Sequence, residues 1–405
     1  MSGNVQHVLF VVAFLMLLQK SSYEYKRYSF AVKWDERISE RTRRFLLFYY
    51  FSDGAVEMHD MGTNRLFLKR TKINAITLDQ MHIGAVLNIF NRHMVITDFG
   101  DEYTRNKLAH MNERTFAMLK PSVMDRIGEI LNFIRDHNYR IARLKMVSLR
   151  ESDINILYEE HLGKSFMGVL SDYLTSGPSL GMELVGDQAV CRWRELMGPT
   201  EPRVALEESP SSLRALYGID ITRNGFHGSA TKEDAKRELD IIFSSETHKT
   251  KTVPVTSALL EGTTLCLIKP HAIRAGLLGD IVQDIERNGF KVTAMEMFSL
   301  TVESAEELYI LYKGITNEYR EMVNEVLMGP CVAVEVMRPE GDTWARFREY
   351  VGPKDPEHAK VVKPNSLRAK FGVDAIHNAV YTTDLEESSK DDVLYFFSIL
   401  QHCEL

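Results

Sequence analysis

The sequence predicts an α/β protein in three parts: a small antiparallel β module followed by two tandem α/β sandwich domains of one design. Three observations predict it. The first hundred or so residues read as short strands separated by polar turns. From Arg114 onward, strands alternate with amphipathic helices. That alternating stretch then occurs twice, offset by 149 residues between Lys120 and Lys269 and by 154 between Arg214 and Arg368. Such an offset means tandem domains, because solenoid repeats run to roughly 20–50 residues.

Composition narrows the class. The chain is 44% hydrophobic and 26% charged, an ordinary globular balance that excludes a disordered tail, a collagen-like chain and a polytopic membrane protein. With 49 Lys and Arg against 56 Asp and Glu, the net charge of −7 argues against general nucleic-acid binding. Cys191, Cys266, Cys331 and Cys403 form no C-x-x-C pair, so neither a zinc knuckle nor a disulfide framework is expected, and a reducing compartment is the default. Val8 to Leu18 is an unbroken apolar run, too short to span a bilayer as a helix. It has the length of a signal-peptide core but lacks a preceding Lys or Arg and a following A-x-A site. A signal, a buried strand or helix, and a non-native start remain open readings. No stable membrane association is expected.

Residues 27–105 form the β module. Phe45 to Phe51, the turn residues Ser52-Asp53-Gly54 and then Ala55 to Met58 signal a hairpin. Arg65 to Ile73 is a further strand. Ala85 to Phe90 and Met94 to Phe99 flank a turn at Asn91-Arg92-His93. No catalytic cluster stands out here.

Residues 112–243 and 259–400 are the two repeats, with a linker at 244–258 that is polar and free of aromatics through Ser257. TFAMLKP and TLCLIKP open them as strands. Ile127, Ile130, Leu131 and Ile134, and likewise Leu278, Ile281, Val282 and Ile285, mark one face of a helix at i, i+3, i+4 and i+7. RIARLKMVSL and KVTAMEMFSL follow as strands, then SGPSLGMEL and MGPCVAVEV. SLRALYGIDITRNGF and SLRAKFGVDAIHNAV complete the parallel.

The chemistry concentrates in Asn224-Gly225-Phe226-His227-Gly228-Ser229, a glycine-flanked histidine after a strand-like run and before the helix-like KEDAKREL. Glycine lets the backbone approach a ligand closely. Lys120, Arg194, Thr200 and Arg214 complete a set suited to holding a triphosphate while one phosphoryl group moves.

Both repeats resemble nucleoside diphosphate kinase domains along nearly their whole length, and N-x-x-H-G-S at 224–229 is that family's active-site signature. The resemblance implies a ferredoxin-like sandwich and ping-pong transfer of a γ-phosphoryl group from a nucleoside triphosphate such as ATP to a nucleoside diphosphate, with Mg²⁺ accompanying the nucleotide. By the resemblance His227 is the nucleophile, and Ser229 and Glu238 orient it. Lys120, Tyr158, Arg194, Thr200 and Arg214 face the phosphates. Phe166 stacks on the base and Asn224 meets the sugar hydroxyl. No residue is assigned as a metal ligand. Ser122 and Ala230 stand where the family pattern has aspartate, Pro199 replaces an acidic residue, and the loop between Pro121 and Gly128 is short. In the second repeat Tyr381 takes the histidine's place, Thr382 and Thr383 replace glycine and serine, and Lys354 sits at the threonine position, although Lys269, Arg348, Arg368 and Asn378 are kept. That repeat is expected to retain the fold and to transfer no phosphoryl group.

FLLFYYFSDGAVEMHD followed by RLFLKR resembles the axonemal DM module. One such module before two kinase-like repeats is the layout of a branch of the kinase family associated with cilia, flagella and microtubules. The resemblance implies tubulin or other axonemal proteins as partners, a cytoskeletal, axonemal or centrosomal setting, and no secretion. It leaves a second reading open, a structural protein inside or beside microtubules with weak or no kinase activity. Family kinases often assemble as oligomers, whereas two fused repeats could pair within one chain.

Overall fold

The computed structural model describes residues 27–36, 41–73, 76–78, 81–90, 92–109, 112–243 and 254–400. The apolar run Val8 to Leu18 and Cys403 lie outside the described residues. The chain divides into two compact units, Met1–Asn112 and Glu113–Leu405.

The first unit is an antiparallel sheet of β1 (Arg27–Glu36), β2 (Arg41–Tyr50), β3 (Ala55–Asp60), β4 (Arg65–Lys72), β5 (Val86–Ile89) and β6 (Arg92–Phe99), in the order β4-β3-β2-β1-β6-β5. Alternation decides which side is buried. Phe30 and Val32 of β1, Phe45 and Leu47 of β2, and Met94 and Ile96 of β6 share one core. The expected hairpin turn is present: Asp53 Oδ1 accepts from Ala55 N (3.0 Å), and Gly54 takes a φ of 68°. The second expected turn is tighter than 91–93. Arg92 already pairs with Ile89, because Phe90 adopts a left-handed φ of 50° and reverses the chain at once.

The second unit holds β7 (Glu113–Leu119), β8 (Arg140–Ser148), β9 (Ser179–Gly186), β10 (Phe226–Gly228), β11 (Val255–Thr256), β12 (Thr263–Ile268), β13 (Lys291–Phe298), β14 (Cys331–Met337) and β15 (Val380–Thr382). The path is β10-β7-β9-β8-β13-β14-β12-β15, antiparallel at each pairing. Numbered within each repeat, the strands run 4-1-3-2 and then 2-3-1-4. These are two ferredoxin-like sheets joined at their second strands.

The strand seam is thin: only Glu296 and Lys145 are in register, and their side chains form a mostly buried ion pair at 3.4 Å. The helices carry more of the junction. Ile127–Asp136 and Leu278–Arg287 bury the apolar faces read from the sequence, and a single core beneath the seam contains residues of both repeats. The two helices touch through glycine. A Cβ on Gly128 would lie 2.2 Å from Gln283 N, and one on Gly279 would lie 2.3 Å from Asn132 Oδ1. Glu286 then caps the first helix from the other repeat, accepting from Ile127 N (3.0 Å) and Gly128 N (3.1 Å).

Two expectations change. The linker is not loop to its end, since Val255 and Thr256 form β11 against Ser148 and Val147, where β8 extends beyond its one pair with β13 and leaves backbone groups to be met. The run before the histidine is no strand. After the helix Leu213–Tyr217, Asp220 Oδ1 accepts from Thr222 N and Arg223 N and holds a turn, and the strand is Phe226–Gly228, with His227 on it.

Candidate active site

β10 pairs with β7 in antiparallel register, His227 opposite Met118. This places the imidazole beside the end of β7, from which Lys120 emerges. Lys120 N donates to Gly225 O (2.8 Å), so the lysine turn and the histidine strand are locked together. Gly225 has a φ of 79°, a left-handed conformation that glycine accepts at no steric cost. A Cβ on Gly228 would lie 2.4 Å from Trp193 Cδ1, so the indole sits where any side chain would be.

His227 has two different neighbours. Nε2 lies 3.1 Å from Glu238 Oε1, a close contact that is out of line for a well-formed hydrogen bond. Ser229 Oγ donates to the other carboxylate oxygen of Glu238 (2.6 Å), and both Ser229 and Glu238 are buried. Nδ1 lies 3.4 Å from the Tyr158 hydroxyl. Burial pushes the Tyr158 phenol well above its ordinary range, so it stays protonated and can donate. With the proton on Nε2, which faces the carboxylate, the Nδ1 lone pair faces the cleft, where an electrophile need displace only the long 3.4 Å contact from Tyr158.

The phosphate-type residues converge on one cleft of about 540 Å³. Lys120 is buried, and its Nζ donates to Asn224 Oδ1 (2.9 Å). Burial, with Arg214 nearby, lowers its pKa to about 7. Arg214 donates to Gly198 O (2.7 Å) and Phe226 O (3.3 Å), and burial lowers its pKa to about 10, still cationic at neutral pH. Asn224 Nδ2 donates to Thr200 O (3.3 Å) and Ile221 O (3.1 Å). Arg194 and Thr200 line the same cleft. Phe166 is 44% exposed at its rim, an open ring face of the kind on which a base can stack. Of the ten residues read from the sequence, Ser229 alone is off the cleft wall, behind Glu238.

Three neighbours escaped the sequence reading. Trp193 Nε1 donates to His227 O (3.2 Å), Phe116 packs 5.8 Å from the imidazole, and His161 meets Phe166 edge-on at 5.6 Å. An aromatic on a helix or strand face reads as core, and Trp193 and Phe116 are indeed fully buried. Ser122, at the position of the family aspartate, is 2.6 Å from the Tyr173 hydroxyl through Oγ.

The profile of the family described as "Nucleoside diphosphate kinase" matches residues 113–248 and again 262–401. The chain belongs to the nucleoside diphosphate kinase family. A second profile, "DM10 domain", matches residues 18–104. Among curated relatives, "Nucleoside diphosphate kinase homolog 7" of Rattus norvegicus is 39% identical over 93% of this chain and 94% of its own length. The protein of the same name from Mus musculus is 38% identical over the same shares. "Thioredoxin domain-containing protein 6" of Xenopus laevis is 33% identical over 70% of this chain but 43% of its own. Among the described residues no helix is long and apolar enough to cross a membrane.

The second kinase repeat keeps the frame of the cleft and changes its contents. Lys269 Nζ donates to Asn378 Oδ1 (2.8 Å), Asn378 Nδ2 to Lys354 O (3.0 Å), and Arg368 to Gly352 O (3.0 Å), each matching a bond of the first repeat. Its cavity measures about 290 Å³. Carboxylates of the chain meet two of its cations: Asp384 pairs with Arg348 (3.1 Å) and Glu318 with Lys354 (2.5 Å). Tyr381 donates to Asp392 (3.3 Å), and burial raises its pKa well above the ordinary value. His377 turns away to Asp374 (2.9 Å).

Proposed function

We propose that the first repeat is a working nucleoside diphosphate kinase and that His227 carries the phosphoryl group. The observation that supports this best is the division of labour on one imidazole: Nδ1 beside Tyr158 in the cationic cleft, Nε2 against the Ser229-supported carboxylate of Glu238. The Nδ1 lone pair attacks the γ-phosphorus of a nucleoside triphosphate. The bond to the β–γ bridging oxygen breaks, its electron pair leaves with the nucleoside diphosphate, and the proton on Nε2 stays beside Glu238. A terminal phosphate oxygen of a second diphosphate then attacks the same phosphorus and returns the pair to Nδ1. Lys120, Arg194 and Arg214 neutralise the charge as it shifts. Mg²⁺ enters as part of the substrate, carried on the phosphates.

The second repeat, by the same reasoning, transfers no phosphoryl group. A buried tyrosine is a neutral phenol, and two of the cations that would hold phosphates are already paired. The DM-type module and the layout shared with the rat and mouse relatives support a ciliary, microtubule-associated setting, with tubulin or axonemal proteins as partners. A purely structural axonemal role is the alternative, favoured by Tyr381. Exchange of the γ-phosphoryl group from ATP to GDP decides between them. The kinase reading expects exchange with the natural chain, and none with His227→Asn. Exchange that survives His227→Asn refutes the assigned residue, and no exchange by the natural chain leaves the structural role.

A further inference from the structure

Beside the second cleft lies a groove of about 390 Å³ that the phosphoryl chemistry does not use. It runs between the helix Val302–Leu308, with the turn after it, and the segment from Leu385 to Ile399. Large apolar side chains stand open along it: Ile310 56%, Leu311 53%, Leu385 45% and Ile399 46% exposed. Asp391 and Glu307, the latter accepting from the Tyr395 hydroxyl (2.6 Å), edge it with negative charge, and Asp384 and Asp392, bonded to Arg348 and Tyr381, also line it.

The first repeat supplies an internal control. Aligned on Tyr158 and Tyr309, its residues Glu159 and Glu160 correspond to Ile310 and Leu311. Aligned on His227 and Tyr381, Thr231 corresponds to Leu385 and Arg237 to Asp391. Three polar positions of one repeat are therefore exposed aliphatic positions of the other, and a cation has become an anion. Exposed leucine and isoleucine grouped in a concave site mark interaction surfaces. The fold does not require them, because the same backbone elements carry polar residues in the first repeat.

We infer that this groove docks a basic amphipathic segment of another protein, one presenting a large aliphatic or aromatic side chain to the floor and a Lys or Arg to Asp391 and Glu307. Charge complementarity selects this occupant. An acidic segment would meet carboxylates of like sign, and a polyphosphate would meet the same repulsion over an apolar floor. The cavity is sized for one or two anchoring side chains, as in helix-in-groove recognition.

The test uses the full chain and two labelled peptides, one of alternating Leu-Leu and Lys-Lys pairs and its Glu counterpart, with binding read by fluorescence anisotropy. The Lys peptide should bind at least about tenfold more tightly than the Glu peptide. Leu385→Thr and Asp391→Arg, which restore the first repeat's residues, should each weaken it by about tenfold. Both positions are exposed, and unchanged thermal unfolding confirms that the variants fold. Equal binding of the two peptides, or binding unaffected by both substitutions, overturns the inference. So does sedimentation showing that the natural chain self-associates and that Leu385→Thr abolishes it, since the occupant is then a second copy. ATP competing directly with the Lys peptide for this groove also overturns it.

Discussion

At the scale of single residues, Lys120 makes the sharpest demand. Its ammonium has an ordinary pKa near 10.4, but burial and Arg214 bring it to about 7 in the free cleft. Above pH 7 it is largely neutral, and a bound polyphosphate restores the charged form. Nucleotide binding at pH 8 should therefore take up about one proton per site, measured by titration calorimetry in buffers of different ionisation enthalpy. Lys120→Met should bind without that uptake, and uptake unchanged in the variant would assign the proton elsewhere. Gly228 makes a steric demand. In Gly228→Ala the new methyl would press on Trp193, and the tightness of the contact calls for a loss of about 1–3 kcal/mol in unfolding free energy. Turnover should fall with it, because the same indole holds His227 O. A variant with unchanged unfolding would mean that Trp193 has room to move.

At the scale of elements, the strands and helices were legible because burial imposes a period. Ile127, Ile130, Leu131 and Ile134 sit where the helical spacing put them, and β2 falls on the aromatic and aliphatic run read before the Asp53-Gly54 turn, with Phe45 and Leu47 to Tyr49 buried. What sequence could not show was which partner each face meets. The helix Ile127–Asp136 packs on its counterpart in the other repeat through glycines, and no periodicity reveals a partner 150 or so residues away. The site was legible as a set of residue types around one histidine. The two sides of the imidazole, and the bond from Trp193, are set by the fold and leave no local sequence signal. Glu286 joins these elements and gives a measurable slope. Burial pushes its carboxyl up to about 7 despite two backbone donors, with Asp125 and Glu129 adding like charge. A carboxyl raised in the folded state contributes stability that is full below its ordinary value of 4.5 and lost as pH rises through about 7. The stability difference between the natural chain and Glu286→Gln should thus shift against the natural chain by on the order of 2 kcal/mol between pH 4.5 and 7. Parallel denaturant titrations check this, and a difference independent of pH would show that Glu286 is ionised throughout.

At the scale of the whole molecule, the two compact units have separate cores, and every residue assigned to the chemistry lies in the second. A chain beginning at Glu113 should fold and exchange phosphoryl groups within about twofold of the full protein, since no group of the cleft is lost. Steady-state exchange from ATP to GDP measures this, and a tenfold loss would place part of the site's support in the first unit. Within the second unit the repeats should not separate so easily. Their common core and the glycine contact join them, so Gly128→Leu should lower the stability of both repeats together, in one unfolding transition. Two resolved transitions in that variant would show repeats that fold independently.

The central claim is that a phosphoryl group rests on His227 and nowhere else in the chain. Single-turnover labelling with γ-labelled ATP tests it directly. One acid-labile label per chain is expected, bound at His227, discharged by added nucleoside diphosphate, and absent from His227→Asn. Stoichiometric label on Tyr381 or His377, or label that persists in His227→Asn, would contradict it.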